Sequence, residues 1–198
     1  MHTLKKLEKQ GFSVTYLDVH ENGIILPEQV EQAITDDTCL VTIMAANNEI
    51  GTIQPIAEIG KICREKGVWF HTDAVQAVGH VPIDVNELGV DMLSASAHKF
   101  NGPKGVGFLY IRKGTEINPL IDGGAQENGL RSGTENVAGI IGMARALVDN
   151  CNQIAAHRSS MMDLENSLLT TLDEAGLDYL RNGSDVRLPG NVSLSFKN

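Results

Sequence analysis

Basic side chains are the scarce class in this sequence: sixteen Lys and Arg stand against twenty-five Asp and Glu, a formal net charge of −9. That balance excludes a nucleic-acid surface or an anionic membrane as the main partner, since neither polyanion is drawn to an acidic chain. Any phosphate site must therefore be local. Long apolar runs are missing too. Nothing approaches the roughly 20 residues needed to span a bilayer, and Met1-His2-Thr3-Leu4-Lys5-Lys6 has no apolar signal segment behind it. The expected location is cytoplasmic. Cysteine is sparse: Cys39, Cys63 and Cys151 are odd in number and widely spaced, and without a Cys-x-x-Cys pair they predict neither a metal site nor a redox motif. No internal repeat or low-complexity segment is found.

What is present is ordinary globular material, 198 residues with 42% hydrophobic and 21% charged, enough for one domain and the beginning of another. A helix end is expected over 3–10, stopped by Gly11, then a strand over Val14 to Val19 and a turn at Asn22-Gly23. Pro27 opens a helix through Ile34. Cys39 to Met44 is a nearly continuous apolar run, the pattern of a parallel strand covered on both faces. Pro55 starts a helix that Gly67 ends, and Val68-Trp69-Phe70 and Asp91 to Ala95 are further strands. This rhythm predicts an α/β fold, a mostly parallel sheet with helices on both faces. Val106 to Ile111 is one more strand. An unstructured, functional stretch over 117–133 then leads to a long helix from Val137 to Leu172, with a break near Asn150–Asn152. The expected division is a large domain over 1–150, with a bridging helix and the start of a small α+β domain over 151–198.

Three successive strand ends carry the chemistry. Asn48 follows the strand ending at Met44, Asp73 follows Val68-Trp69-Phe70, and Lys99 follows the strand ending near Ala95. Open α/β sheets form their ligand crevice at strand carboxyl ends, so neighbouring strands would bring all three side chains together. A lysine there can form a Schiff base, a carboxylate can keep a pyridine nitrogen protonated, and an amide such as Asn48 or Gln76 can hold a phenolic oxygen. That donor set suits pyridoxal phosphate, with Ser96 and His98 available to its phosphate. Each residue alone has a plainer role: Asp73 as a helix cap, Asn48 in a turn, Ser96 and His98 as satisfied polar groups.

Asn47-Asn48-Glu49-Ile50-Gly51, His71-Thr72-Asp73-Ala74-Val75-Gln76, Ser96-Ala97-His98-Lys99, Gly102-Pro103-Lys104-Gly105 and Arg131-Ser132-Gly133-Thr134 occur in this order. Together they resemble the cysteine desulfurase and selenocysteine lyase family, in the class V aminotransferase branch of fold-type I pyridoxal-phosphate enzymes. The resemblance implies Lys99 as the Schiff-base lysine and Asp73 as the pyridine-nitrogen partner. It implies Gln76 and Asn48 on the cofactor ring, Ser96 and His98 on its phosphate, and Thr134 on the phosphate of a neighbouring subunit, hence a homodimer. The implied reaction takes sulfur from L-cysteine, or a related amino acid, leaves L-alanine, and passes the sulfur as an enzyme persulfide to an acceptor or scaffold protein in iron–sulfur cluster assembly.

The same resemblance implies an incomplete chain. Family members are about twice as long, and the segments expected to supply the phosphate loop, the ring-stacking histidine, the catalytic cysteine and the substrate-binding arginine have no counterpart here. An inactive fragment is the expectation. Cys39 and Cys63 are expected to be buried structural thiols, and Cys151 is the open case. Two other readings stand beside this one: another class V enzyme such as an aminotransferase, and a non-catalytic, self-associating fragment.

Overall fold

A computed structural model describes residues 2–197. Its order follows the helix and strand signals of the chain. Two short helices, α1 (His2–Glu8) and α2 (Pro27–Ala33), precede strand β1 (Leu40–Met44), helix α3 (Ile56–Lys66) and strand β2 (Trp69–Asp73). Then come β3 (Met92–Ser96), a single 3-10 turn over Ala97–Phe100, β4 (Gly107–Ile111), the 38-residue helix α4 (Val137–Glu174), and the pair β5 (Tyr179–Arg181) and β6 (Leu194–Phe196). Helix α3 ends where Gly67 takes φ +69°, a left-handed conformation that costs glycine nothing.

The main sheet has the order β1-β2-β3-β4, with β1, β2 and β3 parallel and β4 antiparallel. It is the mostly parallel α/β sheet that the chain's rhythm predicts, but among the described residues β1 is covered on one face, not on both as its apolar run suggests, since Leu40, Thr42 and Met44 are exposed. The register sets Met44 beside Asp73 and Asp73 beside Ser94. Strand alternation then sends Phe70, Leu93 and Ala95 to one face, where they join Ile59 and Cys63 of α3 in the core. Phe70, Ile59, Val90 and Phe100 are fully buried. The opposite face is largely open: Leu40, Met44, Trp69 and Leu109 are each more than 40% exposed.

Three expectations change. Residues 14–19 form no strand, because no backbone group among the described residues accepts their hydrogen bonds, and Tyr16 and Val19 stay exposed. Helix α4 runs through Asn150–Asn152 without a break, because Asn150 turns inward and finds partners. Cys39 is exposed, not buried: it lies just before edge strand β1, whose outer face is uncovered. Cys63 is buried as expected, at 1%.

Beyond α4 the chain folds back on the loop after β1. Val186 accepts a hydrogen bond from Ile53, Leu188 donates to Gly51, and the Thr52 hydroxyl accepts from Ser184 N–H. Thr52 is completely buried in this junction.

Candidate active site

The parallel register puts the carboxyl ends of β1, β2 and β3 side by side, and the polar residues cluster there. Past β1, the Asn47 side chain accepts from the N–H groups of Glu49 and Ile50. This Asx turn projects Asn48 outward, while its carbonyl accepts from Asn191 Nδ2 at 3.2 Å. Asp73 closes β2. Its Oδ1 accepts the Val75 N–H at 3.1 Å and starts a helical turn through Val78, so the cap role and an exposed carboxylate coexist in one residue. Gln76 is half-buried on that turn.

Ser96 closes β3 and Lys99 follows on the 3-10 turn. Ala97 and Phe100, three residues apart, are both fully buried and pin that turn to the core, which leaves His98 exposed and Lys99 half-buried at its rim. The backbone of Lys99 is held as firmly: its carbonyl accepts from His80 Nε2 at 2.7 Å. One residue on, Asn150 Nδ2 of α4 donates to the Phe100 carbonyl at 2.8 Å, and Asn150 Oδ1 accepts from Asn101 Nδ2 at 3.1 Å. Asn101 sits at φ +63°, a conformation asparagine tolerates. Gly79 must be glycine, since a Cβ there would lie 2.7 Å from Phe100 Cβ at φ +80°.

A second polar chain runs across the open face beneath these strand ends. His71 Nδ1 lies 2.8 Å from Thr42 Oγ1, and His71 Nε2 lies 2.8 Å from Ser94 Oγ, so one imidazole ties three strands together. Burial lowers the His71 pKa, and the Asp73 charge two residues away opposes that shift. Burial therefore favours the neutral ring over the imidazolium. Neither His71 nor His80 stood out as functional in the sequence. His71 opens the His71–Gln76 motif without a chemical signal of its own, and the signal for His80 is only its place at the end of the helical turn after Asp73.

Asn48, Asp73, Gln76, Ser96, His98 and Lys99 thus share one edge of the sheet. Thr134 does not join them. It lies on an exposed segment before α4, and no hydrogen bond among the described residues links it to the Lys99 turn. The donor set fits pyridoxal phosphate: a lysine at one strand end, a carboxylate with one oxygen uncommitted at the next, and a serine and histidine flanking the lysine.

Two of the three thiols, Cys39 and Cys63, stand apart from this edge. Cys39 is at the amino end of β1, and a five-residue strand puts about 16 Å between the two ends of the sheet. Burial and the Asp91 charge push the Cys63 thiol up to about 11. Cys151 is exposed on α4. Among the described residues no group of three or more His, Cys, Asp or Glu could hold a metal ion, and no helix is long and apolar enough to cross a membrane.

The profile of the aminotransferase class-V family matches residues 1–198. A cysteine desulfurase IscS of Dictyoglomus turgidum is 52% identical over 191 residues, which covers 96% of this chain and 48% of that protein. One from Methanosarcina thermophila is 50% identical, across 100% of this chain and 49% of its own length. Among solved structures, a NifS-like protein superposes with a TM-score of 0.93 at 45% identity, covering 98% of this chain and 54% of that one. The structure of SspA in complex with cysteine superposes with a TM-score of 0.86 at 39% identity, over 100% of this chain and 55% of that one. The chain spans about half the length of the curated relatives it matches.

Proposed function

The chain belongs to the aminotransferase class-V family, and from that premise we propose that it carries the cofactor-holding half of a pyridoxal-phosphate-dependent cysteine desulfurase. The observation that supports this reading most is the alignment of three parallel strand ends bearing Asn48, Asp73 and the Ser96–Lys99 turn on one sheet edge. Relatives at 50% identity or more bear the desulfurase name, and the solved structure of SspA is a complex with cysteine.

In this reading Lys99 would hold the cofactor aldehyde and Asp73 its ring nitrogen. Gln76 and Asn48 would meet the ring oxygen, and Ser96 and His98 the phosphate, with Thr134 reaching the phosphate of a second copy in a homodimer. The cofactor supplies an electron sink for the carbon that loses sulfur. The Lys99 amine would move the proton between substrate carbon and solvent, and the His80 bond to its carbonyl fixes where that amine starts. The Val75 N–H donates to Asp73 Oδ1 and fixes the direction of that carboxylate. Sulfur would pass from L-cysteine to a thiolate and leave L-alanine.

The test is to add pyridoxal phosphate to the purified chain, reduce with borohydride and locate the adduct by mass spectrometry. Attachment at Lys99 is expected. Attachment at Lys104 or Lys113 would overturn the assignment, and absence of any adduct would support the non-catalytic, self-associating alternative. Cys39 and Cys63 lie away from that edge, and no hydrogen bond among the described residues links Cys151 to the Lys99 turn, so L-cysteine should yield no alanine without a thiol supplied from elsewhere. Alanine release with a persulfide on Cys151 would refute that part.

A further inference from the structure

A cavity of about 210 Å³ opens between α4 and the segment that carries β5, and none of the residues assigned to the cofactor lines it. Arg158 on α4 lies eight residues beyond Asn150, about 12 Å along the helix axis, and lines it with Glu165, Arg181, Asp185 and Arg187. Arg187 is 8% exposed, yet its Nε and Nη1 are buried and meet no hydrogen-bond acceptor among the described residues. Arg181 pairs with Glu165 through one terminal nitrogen, while its Nε is likewise buried without a partner.

A guanidinium does not escape this situation by losing its proton. Burial and the neighbouring Arg181 charge press the Arg187 pKa down, and Asp185 presses it up, but no carboxylate lies within ion-pair distance of Arg187 among the described residues. An unpaired buried charge is costly, and natural structures pair such groups. Three arginines face two carboxylates here, which leaves one positive charge in excess. A monovalent planar acceptor matches both that excess and the fork of N–H donors on a guanidinium.

We infer that this cavity is a binding site for a carboxylate ligand, held by Arg187 and Arg181 from within and by Arg158 at its mouth. Glu165 competes with the ligand for Arg181. The site rests on none of the residues assigned to the cofactor.

The experiment titrates acetate into the purified, isotope-labelled chain at constant ionic strength and follows the arginine Nε–H resonances. The Arg187 and Arg181 signals are expected to shift and saturate with acetate and to ignore equivalent chloride. Arg158 is exposed, so Arg158→Gln keeps the fold and should weaken the acetate affinity about tenfold, as expected for one lost charged hydrogen bond. Glu165→Gln should strengthen it, and Lys99→Ala should leave it unchanged. Unmoved arginine signals, an equal response to chloride, a response to inorganic phosphate alone, an affinity untouched by Arg158→Gln, or loss of the response in Lys99→Ala would each overturn the inference.

Discussion

Lys99 owes its place to its backbone: its carbonyl is bonded to His80 and the flanking Ala97 and Phe100 are buried. Its side chain contributes little packing, so Lys99→Ala should keep the melting temperature within a few degrees while abolishing the borohydride-trapped cofactor link. A variant that unfolds would show that the amine has a structural partner. His71 behaves differently, because its side chain is the structural element. Its folded pKa is depressed, so its contribution is fully present above the unfolded value of about 6.5 and is lost as pH falls through the lower folded value. Melting temperatures of the parent and His71→Gln, compared across that window, should converge on acidification. Parallel curves would remove His71 as the titrating group. Asp73 and Lys99 were legible in the sequence because a strand end followed by a turn marks a ligand crevice. His71 and His80 were not, since their partners come from other strands and turns, which periodicity does not report.

At the scale of elements, α4 does more than connect. Asn150 is 6% exposed and bonds the Phe100 carbonyl, the Ala146 carbonyl and Asn101, so the helix sets the height of the turn that carries Lys99. Asn150→Leu would leave the Phe100 carbonyl and the Asn101 amide without these partners. The expected loss is about 1–3 kcal/mol, read from the denaturant midpoint, whereas exposed Val148→Ala on the same helix should fall within about 0.5 kcal/mol. Equal effects at the two positions would show that the polar anchor is dispensable. The same residue explains the misplaced helix break. Asparagine in mid-helix reads as a breaker, but a buried asparagine with three partners holds the helix to its neighbour instead. The four main strands and α3 were readable because their apolar runs and glycine stops are local signals. Residues 14–19 carry the right pattern, but strand formation also requires a hydrogen-bonding neighbour.

At the scale of the whole molecule, the sheet has one face packed on α3 and one face open. The open face carries Leu40, Met44, Trp69 and Leu109 around the Thr42–His71–Ser94 chain, and β1 has an unpaired edge beside it. Exposed apolar surface next to a free strand edge favours pairing with another copy of the same chain. The net charge of −9 opposes this association through repulsion, and salt screens that repulsion within about 10 Å at moderate ionic strength. The purified chain should therefore associate more strongly as salt is raised, the reverse of an assembly held by ion pairs. Light scattering across a salt series gives the sign directly. Trp69→Glu, which puts a charge on the open face at the start of β2 without touching the buried Phe70 beside it, should return the chain to a smaller species at high salt. A mass that falls with salt, or that ignores Trp69→Glu, would place the contact elsewhere on the molecule.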